Sequence, residues 1–280
     1  MRKIKPKTDS MMINAVKPQK SKPVYPTFRI DLEHIPEAKK WKLGESYNIE
    51  ITGKMVSLSQ SRFDNSAEFE ILEISPDGEE GFPGKLETII RFELTEDNQL
   101  SYEYKATSDK PTAINLAHHD YFNLNNGKGN INQQEVKIYA STILELDENR
   151  IPTGKEILVE KTSFDLRDYR QIGEGLPIIG EYDTSYIIDK KNTLLVAEAR
   201  SLQSNIHLQI YSTEPVVHFY SGKWIPSIKG KNGEQYGPFS GFCLETHKHP
   251  NAVNIPHFPD TILRPGEIYY QKTIYKVSYI

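Results

Sequence analysis

Three observations predict an all-β protein: runs of alternating apolar and polar residues, turn residues spaced between those runs, and no amphipathic helical stretch of ordinary length. The alternation is clearest over residues 88–94, 100–106, 194–199 and 207–211. Turns are signalled by Asp97-Asn98, Asn126-Gly127, Pro152-Thr153-Gly154, Asn232-Gly233 and Pro265-Gly266, residue types whose backbones suit tight reversals. Such spacing allows a sandwich or a barrel, and periodicity does not choose between them.

Residues 1–24 mix Lys, Pro, Ser and Asn with little periodicity, which predicts a basic flexible arm. Residues 25–73 read as a small β module: a turn or short helical segment at 36–41, then alternating runs at 47–56 and 67–74. From residue 74 to residue 280 strands and turns follow one another without a break in pattern. A chain of 280 residues is long enough to bury a substantial core.

Composition narrows the function classes. The formal charge of −4 hides an asymmetry, since residues 1–24 carry seven Lys or Arg against Asp9 alone, which leaves −10 on residues 25–280. An acidic body argues against nucleic acid as a partner. No apolar run reaches the length of a membrane span, and the basic arm lacks the apolar segment of a secretory signal. With Cys243 as the single cysteine, no internal disulfide can form, which fits a reducing cytoplasm. There is no Gly-x-Gly-x-x-Gly, phosphate-binding Gly-rich loop or Gly-x-Ser-x-Gly elbow, so nucleotide cofactors and the common serine hydrolase arrangement are not indicated.

Chemistry concentrates in three segments: Asn115-Leu116-Ala117-His118-His119-Asp120-Tyr121-Phe122-Asn123-Leu124, Gly241-Phe242-Cys243-Leu244-Glu245-Thr246, and Phe258-Pro259-Asp260-Thr261-Ile262-Leu263-Arg264-Pro265-Gly266-Glu267. Glu245 ends an apolar run, where burial can raise a carboxyl toward the range of a useful general base. Strand alternation sends His118 and His119 to opposite faces, so one of them can face a given cleft. Cys243, inside an apolar strand, reads as a small core residue.

These segments, with Ser75-Pro76-Asp77-Gly78 through Gly84, Ile151-Pro152-Thr153-Gly154, Phe164-Asp165-Leu166-Arg167, Glu181-Tyr182-Asp183 and Tyr211 through Gly222 in the same order, resemble the galactose mutarotase (aldose 1-epimerase) family over residues 74–280. The resemblance implies a large antiparallel β-sandwich with a sugar cleft on one concave sheet face, incomplete at its N-terminal side. Two family segments, one carrying a substrate-binding Arg and one a sugar-contacting His, have no counterpart before residue 74. The incomplete sandwich would expose strand edges, which makes a homodimer an expected arrangement.

The activity implied is interconversion of the α and β anomers of a monosaccharide, with no metal and no cofactor. One base removes the proton of the C1 hydroxyl while one acid protonates the ring oxygen, and the two exchange roles on closure. By resemblance, Glu245 is the base and His119 the acid. Asp183, His218, Asn115 and Tyr121 are the expected substrate contacts; His218 stands where relatives often place Gln. Tyr121, Phe122 and Tyr220 are aromatic candidates for the cleft lining.

Two other readings stay open at the level of residues. Glu245, His247 and His249 alternate and could face one way on a strand, as a cupin-like metal enzyme would require. The absent Arg and His segments favour instead a carbohydrate-binding or phage-associated structural protein that keeps the sheet without the full site.

Overall fold

Alternation at period two gives the strands of this chain one face for a core and one for solvent. The computed structural model describes residues 54–60, 65–189, 194–230 and 233–280. The arm expected over residues 1–24, and residues 25–53 of the expected module, lie outside the described residues.

In chain order the strands begin with β1 (Lys54–Gln60), β2 (Asn65–Ser75), β3 (Leu86–Thr95), β4 (Gln99–Ser108) and the short β5 (Thr112–Ala113). They continue with β6 (Glu135–Ile138), β7 (Ala140–Leu146), β8 (Pro152–Leu158) and β9 (Arg170–Gln171), which leads into helix α1 (Ile172–Ile179). After it come β10 (Asp183–Ile188), β11 (Leu195–Ser201), β12 (Ile206–Ser212), β13 (Val216–Tyr220), β14 (Ile228–Lys229) and β15 (Gln235–Tyr236). The last are β16 (Cys243–His247), β17 (Ile262–Leu263) and β18 (Tyr269–Tyr279).

Among the described residues the larger sheet has nine strands in the order β1-β2-β3-β4-β18-β12-β11-β6-β9, and the smaller five in the order β16-β13-β10-β7-β8. Their inner faces meet in one core. Ile138, Leu208 and Ile210 from the larger sheet and Tyr186, Phe219 and Leu244 from the smaller are all buried in it, each worth about 1.5–3 kcal/mol of apolar transfer. This is the antiparallel sandwich that the motifs implied.

Residue 74, where the motif pattern suggested a boundary, falls inside β2. That strand pairs with β3 from Ser66 opposite Thr95 to Ser75 opposite Leu86, so the hydrogen-bonded ladder runs through the position without a break. Loop 76–85, between β2 and β3, is closed by the Asp77 carboxylate, which accepts from the Gly84 N–H at 2.7 Å. Asn98, Asn126, Gly127 and Gly266 all take positive φ at their turns.

Two local expectations are corrected. Pro152-Thr153-Gly154 is not a turn but the start of β8; the reversal lies just before it, where Asp147 Oδ1 accepts from the N–H groups of Asn149 and Ile151. Helix α1 was not foreseen because Gly173, Gly175 and Pro177 interrupt its pattern. Gly175 is required by packing: a Cβ there would lie 2.1 Å from the Tyr182 hydroxyl oxygen. Among the described residues no helix is long and apolar enough to cross a membrane.

A buried polar bridge joins the two sheets. Gln271 on β18 donates through Nε2 to the Thr246 carbonyl of β16 at 2.8 Å, and the Thr246 and Thr273 hydroxyls meet at 2.6 Å. Buried polar groups satisfied in this way fix the register of one sheet against the other.

Candidate active site

On β16, alternation turns Leu244 and Thr246 into the core and leaves Cys243, Glu245 and His247 on the opposite face. Antiparallel register then sets His218 of β13 beside Glu245 and Tyr220 beside Cys243. One strand further on, Ser185 of β10 stands opposite His218, and Asp183 opposite Tyr220. A single sheet face therefore gathers most of the polar chemistry predicted from sequence.

His119 arrives from the loop after β5, which is fastened to β16 at both ends. At its start, Asn115 Oδ1 accepts from the Lys248 N–H at 2.8 Å while Asn115 Nδ2 donates to the Lys248 carbonyl at 3.1 Å. The Leu116 N–H donates to the Tyr269 hydroxyl, which donates in turn to Gln271 Oε1. At its end, Phe122 and Phe242 exchange two backbone hydrogen bonds of 2.7 and 2.9 Å. The intervening chain has little freedom, and His118 and His119 diverge across it. His118 stacks on Tyr102 with ring centroids 4.0 Å apart and reaches Asp120 Oδ1 at 3.1 Å.

His119 turns toward Glu245, its Nε2 lying 3.6 Å from Glu245 Oε1, while its Nδ1 meets Cys243 Sγ at 3.4 Å. The Glu245 side chain is only 12% exposed and that of His119 is 50% exposed. Burial pushes the Glu245 carboxyl above its ordinary range, against the opposing pull of His119 and His218. The pair thus combines a shielded carboxylate of enhanced basicity with a half-exposed imidazole.

The same three side chains form the one close cluster of potential metal ligands among the described residues, their atoms lying within 4.8 Å of one another. The imidazole, however, presents Nδ1 to the thiol and Nε2 to the carboxylate. A cation bound through one nitrogen would lie on one flank of the ring, with the third ligand across it, whereas zinc needs ligand atoms at about 2.0–2.3 Å. The alternating set Glu245, His247 and His249 is not assembled either: β16 ends at His247, and His249 packs on Phe258 at 4.7 Å between centroids.

Beyond Glu245 the face opens into a cleft of about 270 Å³ lined by Leu146, Arg150, Asp183, Ser185, His218 and His247, with Pro152 and Pro250 at its edge. That is toward the small end of ligand sites. Asp183 is bound on both oxygens, by His218 Nε2 at 3.0 Å and by Arg150 Nη1 at 2.5 Å. His218 foremost, then Arg150, hold its carboxyl below the usual range despite partial burial. The other His218 nitrogen, Nδ1, meets the Ser185 hydroxyl at 3.0 Å. His247 donates through Nδ1 to the Lys248 carbonyl at 2.5 Å, and burial pulls its pKa down to about 4. It is neutral, with an unprotonated Nε2.

Of the residues singled out in the sequence, Glu245, His119, Asp183 and His218 come together. Tyr121 joins them at the rim, its ring centroid 4.9 Å from that of His119, with Tyr220 edge-on to both. Phe122 instead packs against Phe242 and Tyr275. Asn115 spends its amide on the Lys248 backbone, and both nitrogens of His218 are engaged within the protein. Sequence reasoning missed Arg150 and Ser185, took His247 only as a possible metal ligand, and read Cys243 as a small core residue, which its burial bears out but which says nothing of its contact with His119. For Cys243 and His247 a signal was present, since each lies two residues from Glu245 on the same strand.

A family model described as aldose 1-epimerase matches residues 45–276, and so extends into the segment before residue 74. The chain is similar to galactose mutarotase from Homo sapiens, 41% identical over 210 residues that cover 73% of this chain and 61% of that protein. It is also similar to aldose 1-epimerase from Escherichia coli (strain K12), 33% identical over 72% of this chain and 61% of that one. Among solved structures, an aldose epimerase homologue from C. elegans superposes with a TM-score of 0.71 at 29% identity, covering 81% of this chain and 69% of the other. Galactose 1-epimerase from Lactobacillus acidophilus shares the fold, with a TM-score of 0.65 at 24% identity over 79% and 65% of the two chains. The chain spans 61% of the length of the curated relatives it matches.

Proposed function

Since the chain belongs to the aldose 1-epimerase family, we propose that it interconverts the α and β anomers of a free aldohexose by acid–base ring opening. The observation that carries this reading is the opposition of Glu245 and His119 at 3.6 Å on a shared sheet face. In the forward step the Glu245 carboxylate takes the proton of the C1 hydroxyl and His119, as imidazolium, protonates the ring oxygen. The bond between C1 and the ring oxygen breaks as the C1 carbonyl forms. Rotation about the C1–C2 bond presents the other carbonyl face, and closure returns both protons.

Several features support this assignment of roles. A buried carboxyl of raised pKa is a stronger base than an exposed one once ionised. Cys243 and Glu245 flank the imidazole and limit its rotation. The ionised Asp183, with His247 Nε2 as an acceptor, suits a substrate rich in hydroxyl donors, and the Tyr121 and Tyr220 rings suit the apolar face of a pyranose.

The test is the mutarotation of freshly dissolved α-D-galactose and α-D-glucose followed by polarimetry, with Glu245→Ala and His119→Ala in parallel. Acceleration by the native chain, lowered about 10²–10⁴-fold in each variant, is expected. A native rate equal to that of buffer overturns the reading, and so does a variant that keeps full activity.

A further inference from the structure

Arg150 occupies a position that neither the motifs nor the acid–base pair explain. It sits at φ 64, in the left-handed region that a non-glycine residue adopts only when its surroundings impose it. The surroundings here are the turn between β7 and β8. Asp147 accepts from the Arg150 N–H through its carbonyl at 3.0 Å and from the next N–H, that of Ile151, through Oδ1 at 2.9 Å. This backbone projects the side chain over β10. There Nη1 donates to Asp183 Oδ2 at 2.5 Å and Nη2 to Glu181 Oε1 at 2.6 Å.

A guanidinium has five N–H donors in a rigid fork. Among the described residues, the acceptors of Arg150 are these two carboxylates, so donors remain for another partner. The side chain is 56% exposed and lines the cleft. The two carboxylates offset its charge together with that of Lys223, whose Nζ lies 3.7 Å from Glu181. What remains is a fixed set of N–H donors with little net field, suited to a neutral hydroxyl rather than to a phosphate.

We infer that Arg150 is a specificity-determining residue of this cleft: anchored on Asp183 and Glu181, it donates to one ring hydroxyl of the sugar, remote from the anomeric carbon that Glu245 and His119 address. Arg150 and the acid–base pair lie on opposite sides of the His218 row, so a pyranose spanning the cleft is held at one end and opened at the other. The inference rests on the epimerase reading for its substrate class.

The experiment compares the native chain with Arg150→Met, which keeps the apolar stem without donors, and Arg150→Lys, which keeps the charge between the carboxylates without the fork. Mutarotation is measured on galactose and on its 2-, 3-, 4- and 6-deoxy analogues. Arg150→Met is expected to raise KM for galactose about 10–100-fold, the range of a hydrogen bond to a charged group, with kcat nearly unchanged. The native chain is expected to show the same loss on one deoxy sugar, and on that sugar Arg150→Met is expected to lose nothing further. Arg150→Lys falls between. An unchanged KM in both variants overturns the inference, as does an equal fall in kcat on every sugar, which is what a purely structural role produces.

Should the native chain fail to accelerate mutarotation, the epimerase reading falls first, and galactose binding followed by saturation-transfer NMR then decides on Arg150. Binding weakened in Arg150→Met and retained in part by Arg150→Lys sustains the contact. Binding equal in all three, or absent from the native chain, overturns it.

Discussion

Replacing Asn115 with alanine removes both hydrogen bonds that hold the start of the His119 loop to the end of β16, at 2.8 and 3.1 Å. Each neutral amide bond contributes about 0.5–1.5 kcal/mol net. Asn115 is exposed, so water can reach the freed Lys248 groups and no full desolvation penalty follows. The expected loss is therefore about 1–3 kcal/mol. A domain of this size loses roughly 2–4 °C in Tm per kcal/mol, and the fold survives.

The functional loss should be larger than the stability loss. His119 lies four residues along from Asn115, and the Leu116–Tyr269 and Phe122–Phe242 bonds still hold the rest of the loop. Displacement of a reacting group by about 1 Å can lower a rate about 10²-fold. Asn115→Ala should then lower kcat on galactose by about 10–100-fold with little change in KM, and Asn115→Asp, which keeps the acceptor for the Lys248 N–H, should lie between. The assay is polarimetric kinetics beside a urea melt. A raised KM with kcat intact would refute this reasoning and restore Asn115 to the role expected from the motif, a direct sugar contact.

Burial holds the Glu245 carboxyl above its unfolded value, so its stability contribution is full below the unfolded pKa and is lost as pH rises through the folded one. Glu245→Gln is expected to melt above the native chain at pH 7–8, with the gap closing below about pH 4, while activity falls about 10²–10⁴-fold; a gap independent of pH would count against it. Asp183 has the opposite sign. Its depressed pKa lends stability above the unfolded value that is lost as pH falls through the folded one. Asp183→Asn should cost at most about 1 kcal/mol at pH 7, since the carboxylate is a third exposed, and nothing in strong acid, as judged by urea melts across pH. Gly175→Ala would place Cβ 2.1 Å from the Tyr182 hydroxyl oxygen, which donates to the Ser163 carbonyl at 2.9 Å. Overpacking of about 1–3 kcal/mol is expected, and an unchanged melt would show that α1 shifts freely.

Strands β3, β4, β11 and β12 were legible because a half-buried strand imprints its period on the sequence without help from distant residues. Helix α1 was not, because Gly173 and Gly175 answer to the close approach of Asn132 and Tyr182, and Pro177 breaks the helical pattern further. The proposed acid–base residues were named by resemblance, yet only the structure explains why they meet: Glu245 rides on a strand, whereas His119 is delivered by a loop whose ties are to the Lys248 backbone, Tyr269 and Phe242. Contacts made through backbone groups leave no residue pattern to read.

Arg150 shows how a small error in a turn conceals a site. Assigning the reversal to Pro152-Thr153-Gly154 extends β7 by several residues and makes Arg150 an ordinary strand position, whose facing is set by alternation alone. With the reversal at Asp147, alternation no longer applies to Arg150. Its direction is set by a left-handed backbone and by hydrogen bonds to a single aspartate. The register of β7 on β8 also shifts between Leu144 and Leu146, so counting from either strand misplaces the guanidinium. The positions least predictable from period are therefore those where a turn aims a side chain back over a neighbouring strand, and the anchoring of Asp183 and Glu181 in this cleft depends on one of them.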